Sequence, residues 1–233
     1  MAEGLHFLAF GPHPDDAEIG TGAFLLKMKN RGYRTGMVTL TTGDMGNGSP
    51  EVRREETHRA ARDLKLDALE ILDLGDTRLE DTHASRVAVA SLVRKYRPEI
   101  VLAPYYGLEP GRGRGHADHI ICGQTVTHGV NFAHLEKYPA EGRPHAVKKM
   151  MYYFLPPFMK PTFIVPVDEE FPLAIQALAN HSSQFDRRDR PKFFPTRLEA
   201  TASYLGAQIG ARYGQAFYVQ DVLKVEDPLT LFP

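Results

Sequence analysis

The sequence predicts an α/β protein: a Rossmann-like, three-layer α/β/α fold around a mainly parallel sheet. Two observations point there. Short apolar runs of strand length alternate with longer helical stretches through residues 5–133, the pattern of βαβ units with helices on both sheet faces. The polar, chemistry-bearing residues sit in loops directly after several of those runs, where open parallel sheets collect ligands. The chain has 233 residues, enough for one domain with a buried core. One domain over 1–233 is therefore expected, with the part from about 145 completing a substrate cleft.

The elements follow in order. "LHFLAF" (5–10) reads as a buried strand and "AEIGTGAFLLKMKNRG" (17–32) as a helix ending near Gly32. "TGMVTLT" (35–41) is a strand, and "SPEVRREETHRAARDLKL" (49–66) a helix with Ser49 at the N-cap and Pro50 at its first position. "ALEILDL" (68–74) and "EIVLAPY" (99–105) are strands on either side of a helix, "THASRVAVASLVRKY" (82–96). "DHIICGQTVTHGVNFA" (118–133) is the next helix. Beyond 145 two strands, 147–155 and 162–167, flank a Pro-rich turn, "PPFMKP". Helices near 168–182 and 196–213 and a last strand, "AFYVQDVLKV" (216–225), complete the chain.

Composition excludes several classes. The net charge is -1, so no strong field favours nucleic acid or an anionic membrane. The basic "RRDRPK" (187–192) reads as a solvated, Pro-broken loop. No apolar run approaches the roughly 20 residues of a membrane span. The N-terminus lacks a basic n-region and a long apolar h-region. The single cysteine, Cys122, permits no internal disulfide and suits a reducing cytosol; a small buried hydrophobe is its plainer reading. A cytoplasmic protein is expected. Composition allows a homo-oligomer without demanding one.

Three clusters carry the chemistry. "HPDD" follows the first strand, with Pro12 and Pro14 restricting the backbone around His13. Neighbouring side chains on an extended segment diverge, so Asp15 and Asp16 are expected to do different jobs. One can join His13 on a metal; alternatively, one simply caps the following helix. "HADH" (116–119) opens the helix after the fourth strand, and His116 and His119 share a helical face. On its own it reads equally as an exposed helix start. Together at one sheet edge, the two clusters supply the mixed nitrogen and oxygen ligands of catalytic zinc. Three ligands with one open position keep a water on the metal and lower its pKa. The third cluster, "TTGDMGNGSPEVRREE" (41–56), lacks the phosphate-binding GxxxxGK[ST], and the first βα turn lacks GxGxxG. Arg53 and Arg54 at a helix start oppose the dipole preference. Either they meet a carboxylate or a substrate oxygen, or they pair with Glu55 or Glu56.

"FGPHPDDAEIGTGAFLLK", "TLTTGDMGNGSPEVRREE" and "HADH" together resemble the LmbE-like (PIG-L) N-deacetylases, as do "ALANHSSQF" (177–185) and the ending "VEDPLTLF". The resemblance spans nearly the whole chain. It implies zinc, or another divalent ion such as iron(II), held by His13, Asp16 and His119. It makes Asp15 the general base, His116 the general acid or oxyanion stabiliser, and Asp118 the residue that orients His116. It aligns Arg53 with a substrate-contacting arginine. The implied substrate is a small N-acetylglucosamine conjugate such as the malate conjugate of bacillithiol synthesis. Two departures stand out: Ala117 replaces the usual proline of the second motif, and "FYVQDV" (217–222) replaces the family's Y-A-E-G-F.

The expected reaction is hydrolysis of an N-acetyl group by metal-activated water. Arg53, His181, Gln184 and the "PYYGLEPGRGRG" loop (104–115) are expected to grip the sugar. Tyr105 and Tyr106 could supply an apolar platform, with strand-end packing the expected role of one of them, and Arg112 and Arg114 a lid or an anion contact. A two-metal phosphoesterase and a non-catalytic metal- or sugar-binding protein are the rival readings.

Overall fold

The structure, a computed structural model, describes residues 4–107, 116–157, 159–185 and 193–227; for residues 193 and 194 only the backbone is described. Strands β1 (Phe7–Gly11), β2 (Thr35–Thr39), β3 (Ala68–Ile71), β4 (Ile100–Pro104) and β5 (Lys149–Tyr153) form one sheet. Their spatial order is β3-β2-β1-β4-β5, and every neighbouring pair is parallel. The order reverses direction between β1 and β4, the crevice where doubly wound sheets bind ligands.

Alternation along β1 sets the layers. Leu8 and Phe10 face helices α3 (His83–Tyr96) and α4 (Ala117–Phe132), packing with Val89, Val93, Cys122 and Val126. Phe7 and Ala9 face α1 (Asp16–Asn30), meeting Phe24, Leu25 and Met28. The far side of α1, through Ala23 and Leu26, packs on Phe171 and Ala174 of α5 (Glu170–Leu178). Each fully buried Leu or Phe stabilises this arrangement by about 1.5–3 kcal/mol. α2 (Pro50–Asp63) begins as its sequence indicates: Ser49 Oγ accepts from Val52 N–H at 3.4 Å and Pro50 opens the helix. Cys122 is fully buried in the core.

The C-terminal third departs from the expected elements. The last strand, β7 (Gly214–Phe217), pairs antiparallel with β6 (Phe163–Pro166) in a separate ribbon. It stops at Phe217 rather than reaching 225, because only Tyr218 continues, bridging to Tyr152. Beyond it Val222 is 95% exposed. The expected helix over 168–182 is α5 followed by the short α6 (Ser182–Phe185), with i→i−3 bonds at Asn180 and His181 tightening the break. The helix expected over 196–213 is α7 (Phe193–Ala207), and Gly210 in the left-handed region (φ 71°) carries the turn after it. β5 ends at Tyr153 because Phe154 turns left-handed, at φ 57°. The 187–192 stretch lies outside the described residues.

Tyr153 ties the sheet to α1. Its side chain is fully buried and its hydroxyl donates to the Phe10 carbonyl at 2.6 Å. A Cβ on Gly20 would lie 2.1 Å from Tyr153 Cδ2, so α1 approaches as closely as it does only through glycine. In an open helix position alanine would gain about 1 kcal/mol over glycine. Here Gly20→Ala is expected instead to lower unfolding free energy by about 1–3 kcal/mol. Urea denaturation at unchanged m-value measures it, and an unchanged or raised midpoint would contradict the packing.

Candidate metal centre and its cleft

The loops after β1, β2, β3 and β4 meet at the carboxyl edge of the sheet. In the first, the chain turns sharply at Asp15, whose φ of 101° is left-handed and strained for a non-glycine residue, costing about 1–3 kcal/mol. Asp15 occupies the N-cap position of α1, yet its side chain makes no capping bond. The turn throws the adjacent carboxylates apart. Asp16 Oδ2 lies 2.9 Å from His13 Nδ1 and accepts from the His13 N–H at 3.2 Å. Asp16 Oδ1 lies 3.2 Å from His119 Nε2. Asp15 instead faces Arg53, at 3.9 Å.

Donor atoms of His13, Asp16 and His119 therefore lie within 4.8 Å of one another. Two imidazoles and one carboxylate are the nitrogen and oxygen donors of a three-ligand zinc site. A second such group, His13 with His116 and Asp118, shares His13 with the first. The residues fit one divalent ion.

Behind the donors stands a second layer. His13 Nε2 is 3.0 Å from Asp118 Oδ2 and 3.0 Å from Asp76 Oδ1. Asp118 Oδ2 also accepts from the Thr77 N–H at 2.8 Å, and Thr77 is itself left-handed at φ 61°. Asp76 accepts from the Met45 N–H at 2.9 Å, anchoring the β2 loop. The Asp118 carboxylate thus orients His13; it stands 4.0 Å from His116 Nδ1. The link to His116 runs through the backbone, the Asp118 N–H pointing to His116 Nδ1 at 3.3 Å. That bond places the proton of neutral His116 on Nε2. His116 is half exposed at the rim.

Arg53 is buried, donating to the Gly43 carbonyl and to the Pro14 carbonyl at 2.7 Å each. It staples two loops and leaves Glu56 to Ser182 and Ser183. Surface pairing with Glu55 or Glu56 is therefore not its role. His181 is fully buried, with Nε2 3.0 Å from Glu18 Oε1; it offers no face to a sugar, contrary to the sequence expectation. Gln184 does line the cleft. Tyr105 and Tyr106 pack on Tyr152, and Tyr105 also on Tyr218, so they serve the core rather than a platform. Residues 108–115, with Arg112 and Arg114, lie outside the described residues. The cleft holds about 290 Å³ between His13, Asp15, Asp76, Arg53, His116 and His119, with Met45 and Gln184 at its sides. Asp76, Thr77 and Phe154, whose ring stacks on His119, were not anticipated. The strand-end rule that drew attention to the other loops points equally to "GDT" (75–77) after β3.

Electrostatics separate the two aspartates. Burial and the charge of Asp16 push Asp15 up to about 7, against His181 and Arg53. Burial alone would raise Asp16 too, but His119 and His13 hold it far below the usual carboxylate range. Burial works to lower His13; Asp16, Asp118 and Asp76 outweigh it and raise the ring to about 9. His119 is raised in the same way by Asp16.

Residues 8–130 match the family described as GlcNAc-PI de-N-acetylase, PIG-L. Diacetylchitobiose deacetylase of Thermococcus kodakarensis is 31% identical over 221 residues, covering 89% of this chain and 80% of its own. Among solved structures, the conserved protein TT1542 of Thermus thermophilus superposes with a TM-score of 0.85 at 32% identity, over 95% of this chain and 97% of that one. The N,N'-diacetylchitobiose deacetylase of Pyrococcus horikoshii, complexed with its inhibitor MPG, gives 0.83 at 27% identity, over 94% and 84%.

The raised histidines mean that protons occupy the metal-free cluster at neutral pH. A metal must displace them, because imidazole binds an ion only when neutral. Uptake of zinc near neutral pH is therefore expected to release about one to two protons, from His13 and from whatever fraction of His119 is protonated. Affinity should climb with pH until His13 has titrated, at about 9. Calorimetry in two buffers of different ionisation enthalpy reads the proton count, and affinity that is flat from neutral pH to 9 would contradict it.

Proposed function

Because the chain belongs to the PIG-L family of de-N-acetylases, we propose that it is a zinc-dependent N-deacetylase of small N-acetylglucosamine-containing molecules. The observation that carries this reading is the split of the HPDD aspartates. Asp16 is committed to two histidines, while its neighbour Asp15 lies outside both candidate donor groups and has a raised proton affinity.

A divalent ion held by His13, Asp16 and His119 would supply Lewis acidity and lower the pKa of a water. Asp15 is placed to take a proton from the water that attacks the acetyl carbon; its raised proton affinity suits a base working near neutral pH. The carboxylate is steered by the left-handed turn and by the Arg53 charge at 3.9 Å. His116, with its proton on Nε2, donates to the developing oxyanion from the cleft rim. The C–N bond then breaks, and the leaving amine takes the proton that Asp15 received from the water. Asp118 and Asp76 hold His13 in the tautomer that presents Nδ1. Arg53 acts by holding the Gly43 and Pro14 carbonyls rather than through a free fork of donors.

Relatives that act on diacetylchitobiose support chitobiose-like substrates alongside the malate and inositol conjugates. A two-metal phosphoesterase is disfavoured, since among the described residues both candidate donor groups draw on His13. A mere binding protein needs neither Asp15 nor His116 beside the donors.

Asp15→Asn is expected to retain zinc and to lose about 10²–10⁴ in kcat; near-normal turnover in the metallated variant overturns the base assignment. Acetate release from N-acetylglucosamine, diacetylchitobiose and the malate and inositol conjugates tests the substrate class. Release from at least one is expected, and none from the zinc-loaded protein overturns the reading.

A further inference from the structure

His13 and His119 are both candidate donors, but they are held by different means. His13 has two carboxylates at its second ring nitrogen, each at 3.0 Å. A metal-binding histidine ordinarily has such a partner, which fixes ring orientation and tautomer. His119 reaches Asp16 through Nε2, and among the described residues nothing hydrogen-bonds its Nδ1. Its ring lies instead against Phe154, the planes 13° apart and the centroids 5.3 Å apart.

Phe154 is an unusual residue in this place. It follows β5 at φ 57°, a left-handed conformation that is strained for a bulky residue. A glycine there would avoid the strain. The ring is half-buried and is itself braced edge-on by Tyr153, at 4.7 Å and 67°. Tyr153 is fixed by its hydroxyl on the Phe10 carbonyl and by the close approach of Gly20. The strained turn thus delivers one aromatic face from the end of β5 to one imidazole at the start of α4.

We propose that Phe154 is a positioning residue for the metal ligand His119, its face taking the orienting role that Asp118 and Asp76 play for His13. Stacked rings attract, and the attraction grows when the imidazole donates to a cation and becomes electron-poor. The inference rests on the metal reading of the site.

The test compares Phe154→Leu, Phe154→Gly and Phe154→Tyr by zinc affinity in chelator competition and by the visible spectrum of the cobalt(II)-loaded protein. Leucine keeps apolar bulk but removes the flat face; glycine removes both the face and the strain; tyrosine keeps the face. Zinc affinity is expected to fall about tenfold or more in the leucine and glycine variants, with an altered cobalt spectrum. Tyrosine should stay within about twofold of wild type, as expected if the face is what orients the ring. The metal-free glycine variant should melt no lower than the leucine variant, since it sheds the strain. Unchanged affinity and spectrum in a folded leucine or glycine variant overturns the proposal. If both fail to fold, a tyrosine variant with weakened zinc binding and an altered cobalt spectrum overturns it, and one matching wild type supports it. A wild-type chain that takes up no zinc overturns the metal reading itself, an outcome separate from any difference among the variants.

Discussion

The Asp16 carboxylate is the constraint on which the site depends. One oxygen serves His13 and the other His119, so it joins the loop after β1 to the start of α4. Those segments flank the reversal point of the sheet, where neighbouring crossovers run to opposite sides and leave a crevice. Buried among imidazoles, Asp16 stays ionised when its neighbour does not. The rest of the cleft is organised around that fixed negative charge: carboxylates behind His13, a phenylalanine behind His119, and Arg53 pulling the loops together.

Strain is distributed unevenly. Of the five non-glycine residues at positive φ among the described residues, Asp15, Thr77 and Phe154 surround the cleft, and each aims a different group. Asp15 turns a carboxylate away from the donor set, Thr77 turns an N–H onto Asp118, and Phe154 turns a ring onto His119. The others, Lys65 and Arg97, follow the ends of α2 and α3, where left-handed residues commonly terminate helices. The rigid sheet behind the site absorbs a cost that an isolated loop could not.

Much of this was legible in the residues. The alternation of strands and helices up to α4 is written in apolar runs and in caps such as Ser49–Pro50. The strand-end rule singles out the loops that carry His13, Asp15, Asp16, His116 and His119, and those loops meet at one sheet edge. Less was legible where tertiary contacts decide. Asp76 is one of four acidic residues between β3 and α3, none beside a histidine or cysteine before α3 begins, so the loop's place at the strand end marks it and its approach to His13 singles it out. His181 lies in a polar stretch that suggests a surface, yet packing against Glu18 buries it completely. Phe154 carries no sign of a left-handed backbone, because its strain is imposed by its surroundings. The final strand is shorter than its residues suggest because "VQDVLKV" has strand-like composition, whereas edge pairing ends with Tyr218.

The separation of the two donor segments along the chain bears on how the site comes into being. His13 and Asp16 lie near the start, and His119 follows some hundred residues later, across three intervening strands. No early segment of the nascent chain holds a complete donor set. The segment carrying His13 and Asp16 must wait for β4 to dock beside β1, a long-range pairing of the kind that forms late and slowly. Metal capture is thereby tied to a nearly finished sheet: an ion bound by all three residues stabilises the folded chain rather than its precursors.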